Sequence, residues 1–270
     1  MGVDGSDNSR RALRWGLAEA ARRGCPLRAV YAWYIPAVAY GDPALPVGDG
    51  PDFEREGHEI LEKVLAAVDE VPVGVEVRSV VTEGPPAVVL RDLADRDEVA
   101  LVVVGSRGRG GVAGLLLGSV SQSLASRPPK PVVIVPGRDG ATADGPIVVG
   151  VDGSPGADAA LDWAAGEAAL GGARLEVVTA RAGGAEPAQD AQRIQDAAAA
   201  RLPGGLAGVD HVVVEGRPVE ALLGRAEHAR LVVVGCRGVG AVHEMLLGST
   251  SHALAHLSPA PVAIIPTPAA

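Results

Sequence analysis

The sequence predicts an α/β protein built from two tandem, doubly wound, five-stranded parallel-sheet domains. Three observations predict it. Leu101–Val104 is an uninterrupted aliphatic run stopped by Gly105, the pattern of a short strand buried on both faces of a parallel sheet. Runs of this kind alternate along the chain with stretches of helical periodicity and short connections, the order of successive βαβ units. The plan also occurs twice, because LVVVGSRGRGGVAGLLLGSVS at Leu101–Ser121 returns as LVVVGCRGVGAVHEMLLGSTS at Leu231–Ser251, 130 residues later.

In chain order, Gly2–Ser6 reads as a strand end and turn, with Ser6, Asp7, Asn8 or Ser9 capping a helix from about Arg10 to Arg23. Leu27–Trp33 is a second strand and Tyr34–Gly50 a long Pro/Gly/Ala-rich loop. Phe53–Glu70 carries Ile60, Leu61, Val64, Leu65 and Val68 at helical spacing. Val75–Val81 is a third strand, and Pro85-Pro86 opens a third helix, where proline is tolerated in the first turn. After the glycine-rich stretch, a helix begins at Gly118-Ser119 and Pro131–Val135 is the last strand of the half. A polar linker over 139–145 separates a first domain, 1–138, from a second, 146–270.

The second half then restarts with strand Ile147–Val151, helix Ala157–Leu170, strand Leu175–Thr179 and an Ala-rich helix over about 188–201. Strand His211–Val214, helix Pro218–His228 and strand Pro261–Ile265 complete it. The offset between halves is 148 residues at Leu13/Leu161 and 130 at the glycine motif, so the first half carries 18 extra residues, mostly around its long loop. The halves also differ at their first strands. Ile147 and Val148 have no counterpart before Gly2, and Met1 stands where the second half has Val149. The first central strand is therefore expected to be short and frayed, and the first half less stable than the second; either the true start lies upstream or the first half depends on docking to the second.

Composition bounds the function. With 47% hydrophobic and 21% charged residues, the 270-residue chain fits two globular domains. Aromatics are 3%, so the cores must be aliphatic. A net charge of −9 argues against non-specific nucleic-acid binding. Cys25 and Cys236 are too few for a disulfide framework. No apolar run reaches membrane-span length and no signal peptide is visible, so a cytoplasmic location is expected. Met1-Gly2…Ser6 fits the minimal myristoylation pattern, but Gly150–Ser154 repeats its letters where no acyl group could attach.

The repeated motif has the spacing G-x2-G-x9-G-S: Gly105, Gly108, Gly118 and Ser119, then Gly235, Gly238, Gly248 and Ser249. Glycines permit close backbone approach and positive φ. Free N–H groups and the positive dipole end at Ser119 and Ser249 favour a phosphate, and Arg107 and Arg237 add a charge able to bond it bidentately. As turn formers alone the glycines would need no ligand. Val120, Ser121, Thr250 and Ser251 offer N–H or hydroxyl donors next to the cradle, or are ordinary first-turn residues. Val112, Leu115, Leu116 and Leu117, echoed by Val242, Met245, Leu246 and Leu247, suit a hydrophobic anchor for the loop. Cys236 stands where the first copy has Ser106, as a small packed residue or, less simply, a low-pKa thiol.

This duplicated motif resembles the universal stress protein family, specifically its nucleotide-binding branch, over nearly the whole chain. The resemblance implies Rossmann-like domains of the adenine nucleotide α-hydrolase type with strand order 3-2-1-4-5, which sets Asp4 opposite Gly105–Ser119 and Asp152 opposite Gly235–Ser249. It implies that these two aspartates contact the adenosine end of a ligand, although either could simply cap its own turn. Ala32 and Ala180, at the ends of the second strands, match the family's adenine-adjacent position and are also ordinary small strand residues. The implied ligand is ATP, with AMP, cyclic AMP and an accompanying Mg2+ left open. Family members often dimerise through their last strands, so an intramolecular pseudo-dimer of the halves is expected, with a homodimer and a regulatory protein partner left open.

Rival chemistries lack their residues. There is no G-x-x-x-x-G-K-[ST], and the G-x-G-x-x-A at Gly108–Ala113 is not repeated in the second copy. The six histidines lack zinc spacing, and neither half has a nucleophile elbow. No dedicated base or metal carboxylates accompany the cradle. The expectation is a protein that holds its nucleotide in a stress-response or regulatory role; a slow ATPase and a nucleotide-free interaction scaffold are the alternatives.

Overall fold

The computed structural model describes residues 1–34, 52–68, 71–109, 117–138, 142, 144–181, 185–238 and 247–268. Parts of the expected long loop and the linker, and the loop anchors Val112, Leu115, Leu116, Val242, Met245 and Leu246, lie outside the described residues. The first half comprises α1 (Asp7–Arg23), β1 (Leu27–Trp33), α2 (Phe53–Ala66), β2 (Val77–Glu83), α3 (Pro86–Ala94), β3 (Val102–Gly105), α4 (Ser119–Ser126) and β4 (Val132–Val135). The second comprises β5 (Ile147–Gly150), α5 (Pro155–Gly171), β6 (Leu175–Arg181), α6 (Ala185–Arg201), β7 (Val209–Glu215), α7 (Pro218–Ala226), β8 (Leu231–Gly235), α8 (Ser249–Leu257) and β9 (Val262–Ile265).

The second half is the doubly wound unit the alternation predicts: its strands run β7-β6-β5-β8-β9, all parallel. The first half has the same winding but not a fifth full strand. β1 pairs with β2 and β3 with β4, and between the two pairs lie only Met1–Val3. Gly2 N–H donates to Val103 O at 3.0 Å, Val3 N–H to Val30 O at 2.8 Å, and Val30 N–H to Met1 O at 2.9 Å. Three residues are too few for a ladder, so the central element is a bridge. They are nevertheless pinned to both neighbours rather than frayed. The Met1 ammonium donates to Arg28 O at 2.6 Å, and burial, then the nearby Arg28 charge, pulls its pKa down to about 5.

The halves join edge to edge. β4 and β9 pair antiparallel, with Val133 opposite Ala263, giving a seven-stranded sheet β3-β4-β9-β8-β5-β6-β7. These all-aliphatic edges are a hazard when left open, and each covers the other. One sheet face buries Val104, Ile134, Val232 and Ile264 beneath α3, α4, α7 and α8; the other buries Val103, Val133, Val233 and Ala263 with Ala12 of α1 and the inner face of α5. Leu13, Leu17, Ile60, Leu61 and Val64 form a third cluster under α1 and α2. Across the seam, Arg23 of α1 binds Glu19 at 2.7 Å and reaches Glu167 of α5, both carboxylates being almost fully buried.

Element ends differ from expectation where caps decide them. Ser6 is the residue that caps α1, its hydroxyl accepting from Ser9 N–H, so the helix starts at Asp7 rather than near Arg10. Ser154 does the same for α5 through Ala157 N–H. β2 lies two residues later than the alternating pattern suggests, because its register is set by pairing Leu27 with Val77.

Candidate functional site

Each half opens a cleft at the carboxyl ends of its strands, the place where winding reverses and ligands bind in such sheets. The first, about 450 Å³, is lined by Asp4, Ala32, Gly105, Arg107, Gly108, Gly118, Ser119, Val120 and Ser121. The second, about 620 Å³, is lined by Asp152, Ala180, Gly235, Arg237, Gly238, Gly248, Ser249, Thr250 and Ser251. All eighteen sequence-nominated residues therefore fall in two equivalent cavities.

The three glycines of each motif have different reasons to be glycine. A Cβ on Gly105 would stand 2.9 Å from the Asn8 backbone, and one on Gly235 would stand 2.6 Å from Gly156. These strand ends are glycine because the first turn of α1 or α5 packs directly on them. A Cβ on Gly108 or Gly238 would meet the carboxylate of Asp4 or Asp152 at 2.3 Å. Gly118 and Gly248 are different. Both have extended backbone with negative φ, and their closest protein neighbours to a Cβ are at 3.4 Å, ordinary contact. The described residues leave room for a Cβ there, yet both halves keep glycine on the cavity wall.

Gly118 and Gly248 are the N-caps of α4 and α8, and neither helix has a side-chain cap. Gly118 N–H donates to Ser106 O and Gly248 N–H to Cys236 O, which folds the loop back under the helix start. Without a capping side chain, the first-turn N–H groups at Ser119–Ser121 and Ser249–Ser251 are left as donors facing the cleft. Of the N–H or hydroxyl donors expected at Ser121 and Ser251, the hydroxyls are taken up: each Oγ donates to the carbonyl of Gly105 or Gly235 at 2.7 Å, and both residues are buried. These hydroxyls tie the helix start to the strand end.

Asp4 and Asp152 are turn clamps that also line the clefts. Asp4 Oδ1 accepts from both N–H and Oγ of Ser6, and Oδ2 accepts from Arg109 N–H at 2.9 Å. Asp152 Oδ1 accepts from N–H and Oγ of Ser154 in the same way. The turn-capping reading of these residues is thus realised, and one carboxylate joins two loops. Arg107 is exposed at the first cleft. Arg237 is half-buried in the second, with its Nε shut off from solvent and unbonded among the described residues. Cys236 is buried against Thr267 Oγ1 at 3.4 Å, the packed-residue alternative.

Sequence reasoning missed the apolar ends of the clefts. Val30, Pro86 and Leu90 line the first, and Val178, Pro218 and Leu222 the second. The signal was available, since Pro86 and Pro218 open equivalent helices after equivalent strands. It also missed Ser9, Ala157, Arg109, Arg217 and Glu220. Arg109 packs over Gly5 and bonds Tyr31, whose phenol is pushed up by burial, then by Glu56, against the opposing pull of Arg109. Among the described residues, no three His, Cys, Asp or Glu side chains are grouped to hold a metal ion, and no helix is long and apolar enough to cross a membrane.

Comparison with known proteins agrees with this duplicated architecture. The model of the universal stress protein family matches twice, at residues 1–136 and 145–266. Universal stress proteins Rv2005c of Mycobacterium tuberculosis and Mb2028c of Mycobacterium bovis are each 34% identical over 283 residues, covering 98% of this chain and 95% of the relative. Rv2623 of M. tuberculosis is 32% identical, covering 98% and 94%. The crystal structure of a universal stress protein from Archaeoglobus fulgidus superposes with a TM-score of 0.69 at 23% identity, covering 99% of this chain and 97% of that one. With both halves matched and relatives aligned nearly end to end, the chain belongs to the universal stress protein family as a tandem two-domain member.

Proposed function

We propose that each cleft holds an adenine nucleotide, ATP foremost, with its phosphates at the N-terminus of α4 or α8, and that the chain serves its stress-response role as a nucleotide-holding regulatory protein. The observation that carries this reading is the glycine at positions 118 and 248: neither φ nor any neighbour among the described residues demands it, whereas a close-lying phosphate does. The uncapped helix starts supply donors, Arg107 and Arg237 supply charge, and both cavities have a small-ligand volume. Val30, Ala32, Pro86 and Leu90, and their equivalents Val178, Ala180, Pro218 and Leu222, offer an apolar slot for a flat base.

The use of the polar groups supports holding over turnover. The Ser121 and Ser251 hydroxyls are committed to strand carbonyls, and Asp4 to the Ser6 and Arg109 donors. Among the described residues, no base is left beside the phosphate position to orient an attacking water. Titration calorimetry with ATP, AMP and cyclic AMP tests the reading. Two sites per chain are expected, with Gly248→Val abolishing the second and Arg237→Ala weakening it by ~1.5–3 kcal/mol. Unchanged affinity in Gly248→Val would overturn the phosphate assignment.

A further inference from the structure

We propose that His252 and His256, on the outer part of α8, form a two-imidazole site for a divalent transition-metal cation of the Zn2+, Ni2+ or Cu2+ class. Residues four apart share one helix face. Here the two rings have centroids 4.4 Å apart and planes tilted by 40°. With metal–nitrogen bonds of about 2.0–2.1 Å, two imidazoles bound at right angles to each other place their centroids roughly 4.5 Å apart. The 4.4 Å contact sets the two imidazoles side by side on one helix face, where a single cation can take both.

Two further observations point to a ligand. His256 Nε2 is closed to solvent and has no hydrogen-bond partner among the described residues, a costly state that a metal bond would relieve. Packing does not require the pair: the equivalent positions in α4 are Gln122 and Ser126, and that helix sits on its half of the sheet in the same way. His252 is exposed and gives the cation a route in.

The chemistry selects the ion class. Neutral imidazole suits Zn2+, Ni2+ and Cu2+, whereas Mg2+ and Ca2+ require oxygen ligands. Two protein nitrogens leave the other coordination positions to water, and His256 must turn its closed-off Nε2 outward as the ion enters. Bound there, it would clamp consecutive turns of the helix whose first residue, Ser249, lines the second cleft. The first half cannot be clamped this way.

The test is titration of the full chain, nucleotide-free, with Zn2+, Ni2+ and Mg2+, alongside His252→Gln and His256→Ser, the residues that α4 carries, and His228→Ala as a control. One equivalent of Zn2+ or Ni2+ is expected. Either pair variant should weaken it by at least the roughly 10–100-fold that losing an outer-shell partner causes, while His228→Ala and Mg2+ change nothing. Circular dichroism of the variants checks that the fold persists. Absence of saturable Zn2+ and Ni2+ binding, or binding that survives both pair variants, overturns the proposal.

Discussion

Asp4 and Arg109 are bonded across 105 residues of sequence: Asp4 Oδ2 accepts the Arg109 backbone N–H at 2.9 Å while Oδ1 holds Ser6. One carboxylate thus fixes the turn into α1 and the loop out of β3. Asp4→Ala removes the acceptor from three donors. Charge-assisted bonds of this kind are worth about 1.5–3 kcal/mol, so faster amide exchange over 105–109 and weaker ligand binding at the first cleft are expected. Exchange mass spectrometry and calorimetry measure the two effects. A variant with native exchange would show that the loop is held otherwise.

The glycines predict opposite kinds of damage. Gly238→Ala drives a Cβ to 2.3 Å from Asp152 Oδ2 and should lower the melting temperature. Gly248→Ala meets nothing closer than 3.4 Å among the described residues and should leave melting unchanged while reducing nucleotide affinity. Finding the reverse order in thermal melts would refute the assignment of roles.

The seam between the halves rests partly on Arg23. Its guanidinium lies between Glu19 and Glu167, which are 3% and 4% exposed. Without Arg23, Glu19 keeps Arg22 at 2.6 Å but Glu167 loses its cation, and an uncompensated buried charge costs about 3–5 kcal/mol. Arg23→Ala should show this loss in urea unfolding. Glu167→Gln in the same background should recover part of it, and a fully additive double variant would mean the two do not interact.

Met1–Val3 fills the centre of the first half with three bonded residues where the second half has the strand Ile147–Gly150. Adding Ile-Val-Val before Gly2 should lengthen the ladder with β1 and β3 and bury aliphatic area worth roughly 1.5–3 kcal/mol per side chain. A raised first unfolding transition is expected, together with tighter ligand binding at the first cleft relative to the second. An unchanged melt would show that the bridge suffices.

His256 gives the fold a pH dependence of known sign. Burial, then His252, lowers its pKa, so below about 6.5 the unfolded chain binds more protons than the native one. This contribution to stability is complete above the unfolded value and is lost as pH falls through it. His256→Ser should flatten the stability profile below about pH 6.5. An identical slope in parent and variant would remove His256 as its source.

The sequence by itself determined the repeat, the alternation and the position of nearly every element, because aliphatic runs and helical spacing are local patterns that burial on a parallel sheet requires. It also placed fourteen residues that line the two clefts, because G-x2-G-x9-G-S recurs intact, while Asp4, Ala32, Asp152 and Ala180 were named through the family resemblance. Only the tertiary structure decided what each of them does. Gly105 answers to Asn8, Gly108 to Asp4, and the Ser121 hydroxyl to the Gly105 carbonyl, all partners brought together by winding rather than by neighbourhood in the chain. The apolar slot, the Arg23 bridge and the start of β2 were likewise settled by packing. These are pairings between distant segments, and a single chain's periodicity records which face of an element is buried but not what it is buried against.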